Sequence, residues 1–218
     1  MTDSKGRAIT ATVILLIGAG VLIGSLLTPW YTFTASGSGV TVYDNFYAGL
    51  PTTNGTIRYS CSGGVECPSQ TSYSAASLNN TGTIAETGFF LLIGGVILGA
   101  LAGILAFMFR NRRGLGSIIL ALSILAVVLA IVAPAVFAVE LPGAISKDHP
   151  GATGNGPWTS FFGSNSTTLG PGAAYSTTWG PGLGWYLAIG AFVIFCGGLF
   201  LLFRNRRIDR DELPSPPA

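Results

Sequence analysis

Four long apolar segments without a charged residue constrain this chain more than any other feature. They cover residues 8–27, 89–109, 115–137 and 183–203. A helix of about 20 residues is about 30 Å long, which matches the hydrocarbon core of a bilayer. Only 9% of the residues are charged, whereas a soluble domain carries about a quarter. The sequence therefore predicts a mainly α-helical integral membrane protein built on a four-helix transmembrane bundle.

The first apolar segment has an alternative interpretation as a cleaved signal peptide. Its length exceeds that of a usual signal core, and Leu27-Thr28-Pro29-Trp30 lacks the small residues of a cleavage site. A membrane helix is favoured. In the third segment, Pro134 is expected to kink or end the helix. Thr83-Ile84-Ala85-Glu86 fits a capping box at the start of the second predicted membrane helix.

The remaining segments divide into short and long ones. The short ones are residues 1–7, the turn 110–114 and the tail 204–218, which is charged, proline-rich and predicted to be disordered. The long ones are the connections 28–88 and 138–182.

The basic residues are concentrated on one side of the predicted membrane. Phe109-Arg110-Asn111-Arg112-Arg113 recurs as Phe203-Arg204-Asn205-Arg206-Arg207, either because both flank a membrane span or because a helix hairpin was duplicated. Nine of the eleven Lys and Arg residues share that side. The positive-inside rule predicts that both termini are cytoplasmic and both long connections extracellular. We expect the plasma membrane as the location.

The first long connection carries the pattern of half-buried strands. Aromatic and β-branched residues alternate with small polar ones in residues 30–34, 40–43 and 56–61, and Asn54-Gly55 is typical of a hairpin turn. We expect a small extracellular antiparallel β-sheet. Cys61 and Cys67 in the same connection are predicted to form a disulfide, and the alternative is a metal or redox pair.

The sequence offers little chemistry for catalysis. The four apolar segments contain no Asp, Glu, Lys, Arg or His, and the lone histidine, His149, lies in a predicted loop. Intramembrane ionisable groups mark proton relays and ion paths, so a pump or an intramembrane hydrolase is disfavoured. We expect no enzyme activity, catalytic residue, metal or cofactor. The expected partners are the lipid bilayer, further copies or other membrane subunits, with no sign of a nucleic acid or a small-molecule substrate.

Other residues have predicted structural roles. Small residues at four-residue spacing allow helices to approach closely, either within the chain or between copies. Cys196 is expected to be a small packing residue. The helix-packing glycines are Gly20, Gly24, Gly95, Gly99 and Gly103. The expected interfacial anchors are Trp30, Tyr31, Trp179, Trp185 and Tyr186. The possible glycosylation sites are Asn54, Asn79 and Asn165.

The chain resembles the claudin-like tetraspan superfamily, which includes claudins and peripheral myelin protein relatives. The shared features are four spans, a Trp after the first helix (Trp30) and a cysteine pair before the second. Gly49-Leu50 is followed by Pro51 where that family has a second Trp, and the cysteine spacing is shorter than in claudins. The resemblance implies a left-handed bundle, a sheet with strands from both connections, and lateral or cell-to-cell assembly.

The expected function is adhesion, lateral assembly or barrier formation through the extracellular sheet. The alternative is an accessory subunit that stabilises a larger channel, transporter or enzyme complex. Exposed aromatic and charged residues of the connections are the candidate interaction surface, because such residues anchor interfaces. They are Tyr43, Asp44, Phe46, Tyr47, Arg58, Tyr59, Trp158, Phe161 and Phe162.

Overall fold

The structure, a computed structural model, consists of four long helices and one six-stranded sheet. It describes residues 2–37, 40–48, 55–61, 71–73, 79–108, 115–168 and 174–211. The helices are α1 (Thr2–Leu26), α2 (Asn79–Met108), α3 (Gly116–Asp148) and α4 (Leu183–Asp211). The strands are β1 (Tyr31–Gly37), β2 (Val40–Phe46), β3 (Gly55–Cys61), β4 (Thr71–Tyr73), β5 (Gly163–Thr168) and β6 (Ala174–Pro181).

The four helices form a bundle in which each packs on two neighbours. α1 contacts α2 and α4, and α3 contacts the same two helices. All four are long and apolar enough to cross a membrane, as the sequence predicts. Their outward faces carry apolar residues such as Ile17, which is 51% exposed, and Val193, which is 61% exposed. Apolar side chains on the outside of a bundle suit lipid as the solvent, which indicates a multi-pass membrane protein.

All four helices extend beyond the apolar segments that predict them. α1 begins at Thr2 rather than Ala8, and α2 begins at Asn79 rather than Phe89. α3 ends at Asp148 rather than Phe137, and α4 continues to Asp211 rather than ending at Phe203. Residues 204–211 are thus helical and not part of a disordered tail, and residues 212–218 lie outside the described chain.

The predicted capping box is wrong, because Thr83 lies inside α2. Its hydroxyl donates to the Asn79 carbonyl one turn earlier, at 2.7 Å, and so is not available to the first free N–H groups of the helix. The first turn of α2 is capped instead by a residue of α3, described below.

Pro134 does not end α3, which continues through it and through Pro142. A proline inside a helix removes one backbone hydrogen bond. Pro134 is fully buried, as are Phe137 and Leu141 in the following turns. Burial of these side chains against the sheet and the neighbouring helices stabilises the continued helix and offsets the missing bond.

The sheet has the strand order β4-β3-β2-β1-β6-β5, and every neighbouring pair is antiparallel. Four strands come from the connection between α1 and α2, and two from the connection between α3 and α4. The small antiparallel sheet is therefore confirmed. The two-residue hairpin turn predicted at Asn54-Gly55 is not confirmed. Gly55 is the first residue of β3 and pairs with Phe46, the last residue of β2, so the connection between these strands is longer than two residues. The short connection lies between Gly37 and Val40, which pair with each other.

An aromatic cluster holds the sheet on one end of the bundle. The Trp30 and Phe137 rings meet edge to face with centroids 5.1 Å apart, and Phe46 stacks on Phe137 at 6.2 Å. Phe161 lies 5.5 Å from Tyr31 and 6.2 Å from Phe137. Such pairs add about 0.5–1.5 kcal/mol each beyond the area that they bury. The cluster therefore joins β1 and β2 of the first connection, and the segment just before β5 in the second, to α3.

Candidate functional site

The two faces of the sheet differ in composition because side chains alternate along each strand. In β1, Tyr31, Phe33 and Ala35 share the face that lies on the bundle. Their partners in the antiparallel register with β2 are Phe46, Asp44 and Val42 in that order, and Trp179 of β6 pairs with Phe33. This face is mostly apolar and contributes to the aromatic cluster.

The opposite face, called the outer face here, is polar and uncharged on the four strands β1, β2, β5 and β6. Tyr43 is its one large aromatic residue on these strands and is 43% exposed. The strand register identifies the hydroxyl-bearing and amide side chains that share the outer face. They are Thr32, Thr34, Ser36, Thr41, Asn45, Ser164, Ser166, Ser176 and Thr178. The bundle leaves this face available to another molecule.

The predicted interaction surface divides into exposed and buried residues. Phe162 is 72% exposed and, with Tyr43, remains available for a partner. Tyr47 is half-buried. Phe46 is buried and Phe161 packs on the Trp185 ring at 5.7 Å. Phe46 and Phe161 therefore fasten the sheet to the bundle and do not present a contact surface.

The other members of that predicted surface have different locations. Asp44 and Trp158 line a cavity beneath the sheet, described below. The side chains of Arg58 and Tyr59 lie outside the described part of the chain, so their predicted role stays a prediction.

Three of the five predicted interfacial anchors are buried instead. Trp30 is 0% exposed, Tyr31 5% and Trp179 6%, whereas an anchor at a membrane surface needs an exposed ring. These rings are buried because the sheet folds back onto the bundle directly after α1. Trp185 is half-buried and donates its indole N–H to the Pro134 carbonyl at 2.9 Å. Tyr186 is 55% exposed, so its role as an interfacial anchor stays a prediction.

The junction between α1 and β1 is locked to the start of α4. The Trp30 indole N–H donates to the Ser25 carbonyl at 3.0 Å, and the Ser25 hydroxyl donates to the Gly184 carbonyl at 2.7 Å. The Gly184 N–H in turn donates to the Pro29 carbonyl at 2.8 Å. A Cβ on Gly184 would lie 2.6 Å from the Thr28 carbonyl oxygen. Only glycine allows this approach.

The predicted glycine stripe of α2 packs within the chain. A Cβ on Gly95 would meet Leu22 at 3.1 Å, and one on Gly103 would meet Leu16 at 3.1 Å. One on Gly99 would lie 2.6 Å from the ring of Phe195. On α1, a Cβ on Gly24 would lie 3.8 Å from Leu187, whereas a Cβ on Gly20 would have no atom of the described residues within 4 Å. Gly20 therefore makes no packing contact with the described residues, and its contact with another copy stays a prediction.

A cavity of about 640 Å³ lies between the sheet and the protruding ends of α2 and α3. Its apolar wall includes Phe33 and Phe46 of the sheet, Leu141 and Ile145 of α3, and Trp158 of the following loop. Its polar lining is Tyr31, Asp44, Thr81, Asp148 and His149. A concave apolar site with a few convergent polar groups is the usual form of a small-ligand site.

One side of the cavity is fixed by the Asp148 carboxylate, which caps α2. Asp148 Oδ2 accepts from the Thr81 N–H at 2.7 Å, and Oδ1 accepts from the Asn80 N–H at 3.1 Å and the Asn80 side-chain amide at 2.8 Å. The first N–H groups of a helix have no partner inside it, and a negative charge there is also favoured by the helix dipole. The last residue of α3 therefore satisfies the first turn of α2.

The same contacts set the protonation of Asp148. α3 has 33 residues, about 50 Å, so its end extends well beyond a hydrocarbon core of about 30 Å. Partial burial alone would raise the pKa of the Asp148 carboxyl. The hydrogen bonds from Thr81 and Asn80 outweigh it and lower the pKa from 3.8 to about 2.

Two buried side-chain oxygens lack a hydrogen-bond partner in the described part of the protein, and both belong to residues lining this cavity. They are the Tyr31 hydroxyl and Thr81 Oγ1. Thr81 Oγ1 lies beside the Asp148 carboxylate and helps to lower its pKa, but without the geometry of a hydrogen bond. Burial raises the pKa of the Tyr31 phenol far above its usual value, so Tyr31 is neutral.

The predicted cysteine pair and one predicted sequon cannot be placed. Cys67, the side chain of Cys61, and Asn54 lie outside the described residues, and Cys196 is a free thiol. Asn79 is exposed at the start of α2, and Asn165 is half-buried in β5. The described residues contain no group of three or more His, Cys, Asp or Glu placed to hold a metal ion.

Comparison with known proteins places the chain in no family. No protein-family model matches it, and no curated protein matches it significantly.

Proposed function

We propose that this chain is a non-enzymatic four-span membrane protein that uses the outer face of its sheet to bind neighbouring proteins, in lateral assembly, adhesion or barrier formation. The observation that carries the proposal is the attachment of the sheet. Strands from both connections meet in one sheet, and the aromatic cluster fixes that sheet to α3. A sheet held this firmly can present a surface without losing conformational entropy on binding.

The charge distribution supports an orientation with this surface outside a cell. A Cβ on Gly103 of α2 would lie 3.5 Å from the Thr12 carbonyl oxygen, and one on Gly198 of α4 would lie 2.9 Å from Leu15. The start of α1 and the ends of α2 and α4 therefore share the bundle end opposite the sheet. Most basic residues flank that end. By the positive-inside rule the termini are cytoplasmic and the sheet extracellular, at the plasma membrane.

The claudin-like resemblance supports the same proposal. The four helices and the sheet with strands from both connections are features of the kind that this resemblance implies, and Trp30 is one of the residues on which it rests. A disulfide between Cys61 and Cys67 would then close the connection between β3 and β4. Self-assembly through the sheet is the form of the proposal that this resemblance favours.

The composition of the outer face fits a protein partner. The centres of interfaces are depleted in charged residues and enriched in tyrosine, and they are also depleted in serine, which this face carries at four positions. Thr34 lies on β1, one of the two central strands, and Tyr43 lies beside it because the two are paired in the register. Arg58 of β3 is the register partner of Tyr43 on its other side, so a partner sheet avoids covering a charged position where it lies over β1, β6 and β5.

The size of the purified particle tests the proposal. The full chain is extracted in mild detergent and the mass of the intact particle is measured. We expect several copies in the wild type and a single copy in Thr34→Arg, because a buried unpaired charge opposes association. Thr34→Ser is the matched control and should assemble. A monomeric wild type, or a Thr34→Arg variant that assembles normally, would contradict the proposal.

The accessory-subunit alternative is favoured by a different observation. Among the described residues, nothing lies within 4 Å of a Cβ on Gly20 of α1 or on Gly190 and Gly197 of α4, and small residues let a foreign helix approach closely. If the chain is an accessory subunit, it should purify together with one larger membrane protein at a fixed stoichiometry. Gly20→Leu should then release that partner, whereas Thr34→Arg should not.

A further inference from the structure

The possible glycosylation sites differ in how the folded chain holds the asparagine side chain. Asn79 is exposed, and its side-chain amide makes no hydrogen bond to the described residues. Asn165 is half-buried, and its amide donates to the Asn155 carbonyl at 3.3 Å. A glycan is bulky and needs an asparagine at the surface. Of the two sites that the structure describes, Asn79 meets this condition and Asn165 does not.

The strand register gives a second reason against Asn165. It pairs with Thr177 of β6, which pairs in turn with Ala35 of β1. Ala35 belongs to the face of the sheet that lies on the bundle, so Asn165 lies on that face too. A glycan on Asn165 would have to displace the loop that contains Asn155, since that loop accepts its amide.

Asn79, in contrast, stands clear of the membrane and of the outer face. It is the first residue of α2, ten residues before Phe89, where the apolar segment begins. Ten helical residues measure about 15 Å. Thr81, two residues further on, lines the cavity beneath the sheet. A glycan on Asn79 therefore starts below the sheet and leaves the outer face uncovered.

The rest of the Asn79 motif is accessible only before the chain has folded. Thr81 supplies the hydroxyl that makes the triplet an acceptor, yet it is 5% exposed. Its N–H and that of Asn80 donate to Asp148, which is 67 residues after Thr81. At about 5–20 residues per second, synthesis reaches Asp148 about 3–13 s after Thr81. Modification has time to precede this cap, and the finished fold then keeps the modified amide at the surface.

We propose that Asn79 carries an N-linked oligosaccharide, which is added during synthesis on the extracellular side. The proposal rests on the orientation inferred above. The Asn79 amide nitrogen forms a bond to the anomeric carbon of a lipid-linked oligosaccharide, and the bond from that carbon to a phosphate oxygen breaks. The lipid phosphate leaves with the electron pair, and the amide proton passes to a base of the membrane transferase.

Peptide mapping of the full chain, expressed in insect cells, tests the proposal. Trypsin cuts after Lys and Arg, so residues 8–58, 59–110 and 148–204 form three peptides that separate Asn54, Asn79 and Asn165. Peptide N-glycosidase in heavy-oxygen water converts each glycosylated asparagine to an aspartate that carries the heavy oxygen. We expect this label at Asn79 and none at Asn165. A secreted glycoprotein from the same cells shows that the transferase is active.

Two variants and one reporter complete the test. Asn79→Gln should fold normally, because its amide has no hydrogen bond to lose among the described residues, and should abolish the label in peptide 59–110. The matched control Asn165→Gln should keep that label. In the same cells, labelling of Thr153→Cys with an impermeant thiol reagent reports the orientation separately.

The outcomes distinguish this proposal from the orientation on which it rests. An unlabelled peptide 59–110, in cells where Thr153→Cys reacts from outside, would overturn the glycan and leave the orientation intact. If Thr153→Cys reacted only after lysis, both would be wrong. Equal labelling of Asn165 and Asn79 would contradict the selection of Asn79 by the fold.

Discussion

Asp148 and Thr81 are 67 residues apart in sequence, yet the Thr81 N–H donates to the Asp148 carboxylate at 2.7 Å. This contact joins the last residue of α3 to the first turn of α2. Helix caps are usually local in sequence, whereas this one ties together two helices and one wall of the cavity. The stability of the bundle and the shape of the cavity therefore depend on the same carboxylate.

Removing this carboxylate should destabilise the protein. We expect Asp148→Ala to lower the free energy of unfolding by about 1–2 kcal/mol, the value of a lost N-cap. Unfolding by SDS titration in mixed micelles measures the change. Glu140→Ala is the matched control, because Glu140 is an exposed acid on the same helix, and it should change stability by less than about 0.5 kcal/mol. Equal effects of the two substitutions would show that Asp148 does not cap α2.

The cap should also make stability depend on pH. The pKa of Asp148 is about 2 in the folded protein, below its ordinary 3.8, so the unfolded chain binds the proton more readily. The stabilisation is complete above the unfolded pKa and is lost as the pH falls from about 4 towards about 2. Unfolding midpoints measured between about pH 6 and about pH 3 should decline less steeply in Asp148→Asn than in the wild type. Parallel declines would contradict this assignment.

Thiol labelling tests the proposed orientation. In a Cys196→Ala background, a cysteine at Thr153 should react with an impermeant reagent in intact cells, and one at Gly6 should react only after lysis. Both positions are exposed, and a Cβ at Gly6 meets no atom of the described residues within 4 Å. Gly154 is less suitable than its neighbour because its φ of +80° strains any L side chain. The unsubstituted background gives the blank, and the reverse labelling pattern would invert the topology.

The sequence predicts the four helices and the strands β1, β2 and β3 because the signals for these elements are local. Uncharged segments long enough to span a bilayer identify all four helices, and period-two alternation identifies β1, β2 and β3. The extension of α3 past Phe137 was missed, although Phe137, Leu141 and Ala144 are buried at helical spacing. The mean apolarity falls there, and Pro142 argues for a loop.

The candidate site was predictable only in part, since burial depends on contacts between distant segments. Trp30 after a membrane helix has the pattern of an interfacial anchor, yet Phe137 of α3 packs against its ring and its indole N–H donates to the Ser25 carbonyl. The cavity combines Tyr31, Thr81 and Asp148 from three separate segments. No spacing rule joins such residues before the sheet is placed on the bundle.

The packing of Phe195 gives the sharpest test of how the bundle is built. Its ring is fully buried, and a Cβ on Gly18 or on Gly99 would lie 2.7 Å or 2.6 Å from it. Gly99→Leu should therefore lower the free energy of unfolding by about 1–3 kcal/mol through overpacking. Gly20→Leu is the matched control, because Gly20 faces open space, and it should be close to neutral.

A double-mutant cycle separates this contact from a general effect of glycine replacement. Phe195→Ala alone should destabilise by about 3–5 kcal/mol through the cavity that it leaves. In the presence of Gly99→Leu that cost should fall, because the leucine occupies part of the vacated space, and the coupling should amount to about 1 kcal/mol or more. SDS titration of the four proteins measures the cycle. Additive effects of Phe195→Ala and Gly99→Leu on stability would show that the two residues do not pack on each other. If, in addition, Gly99→Leu abolished association without loss of stability, the glycine face of α2 would be the interface between copies.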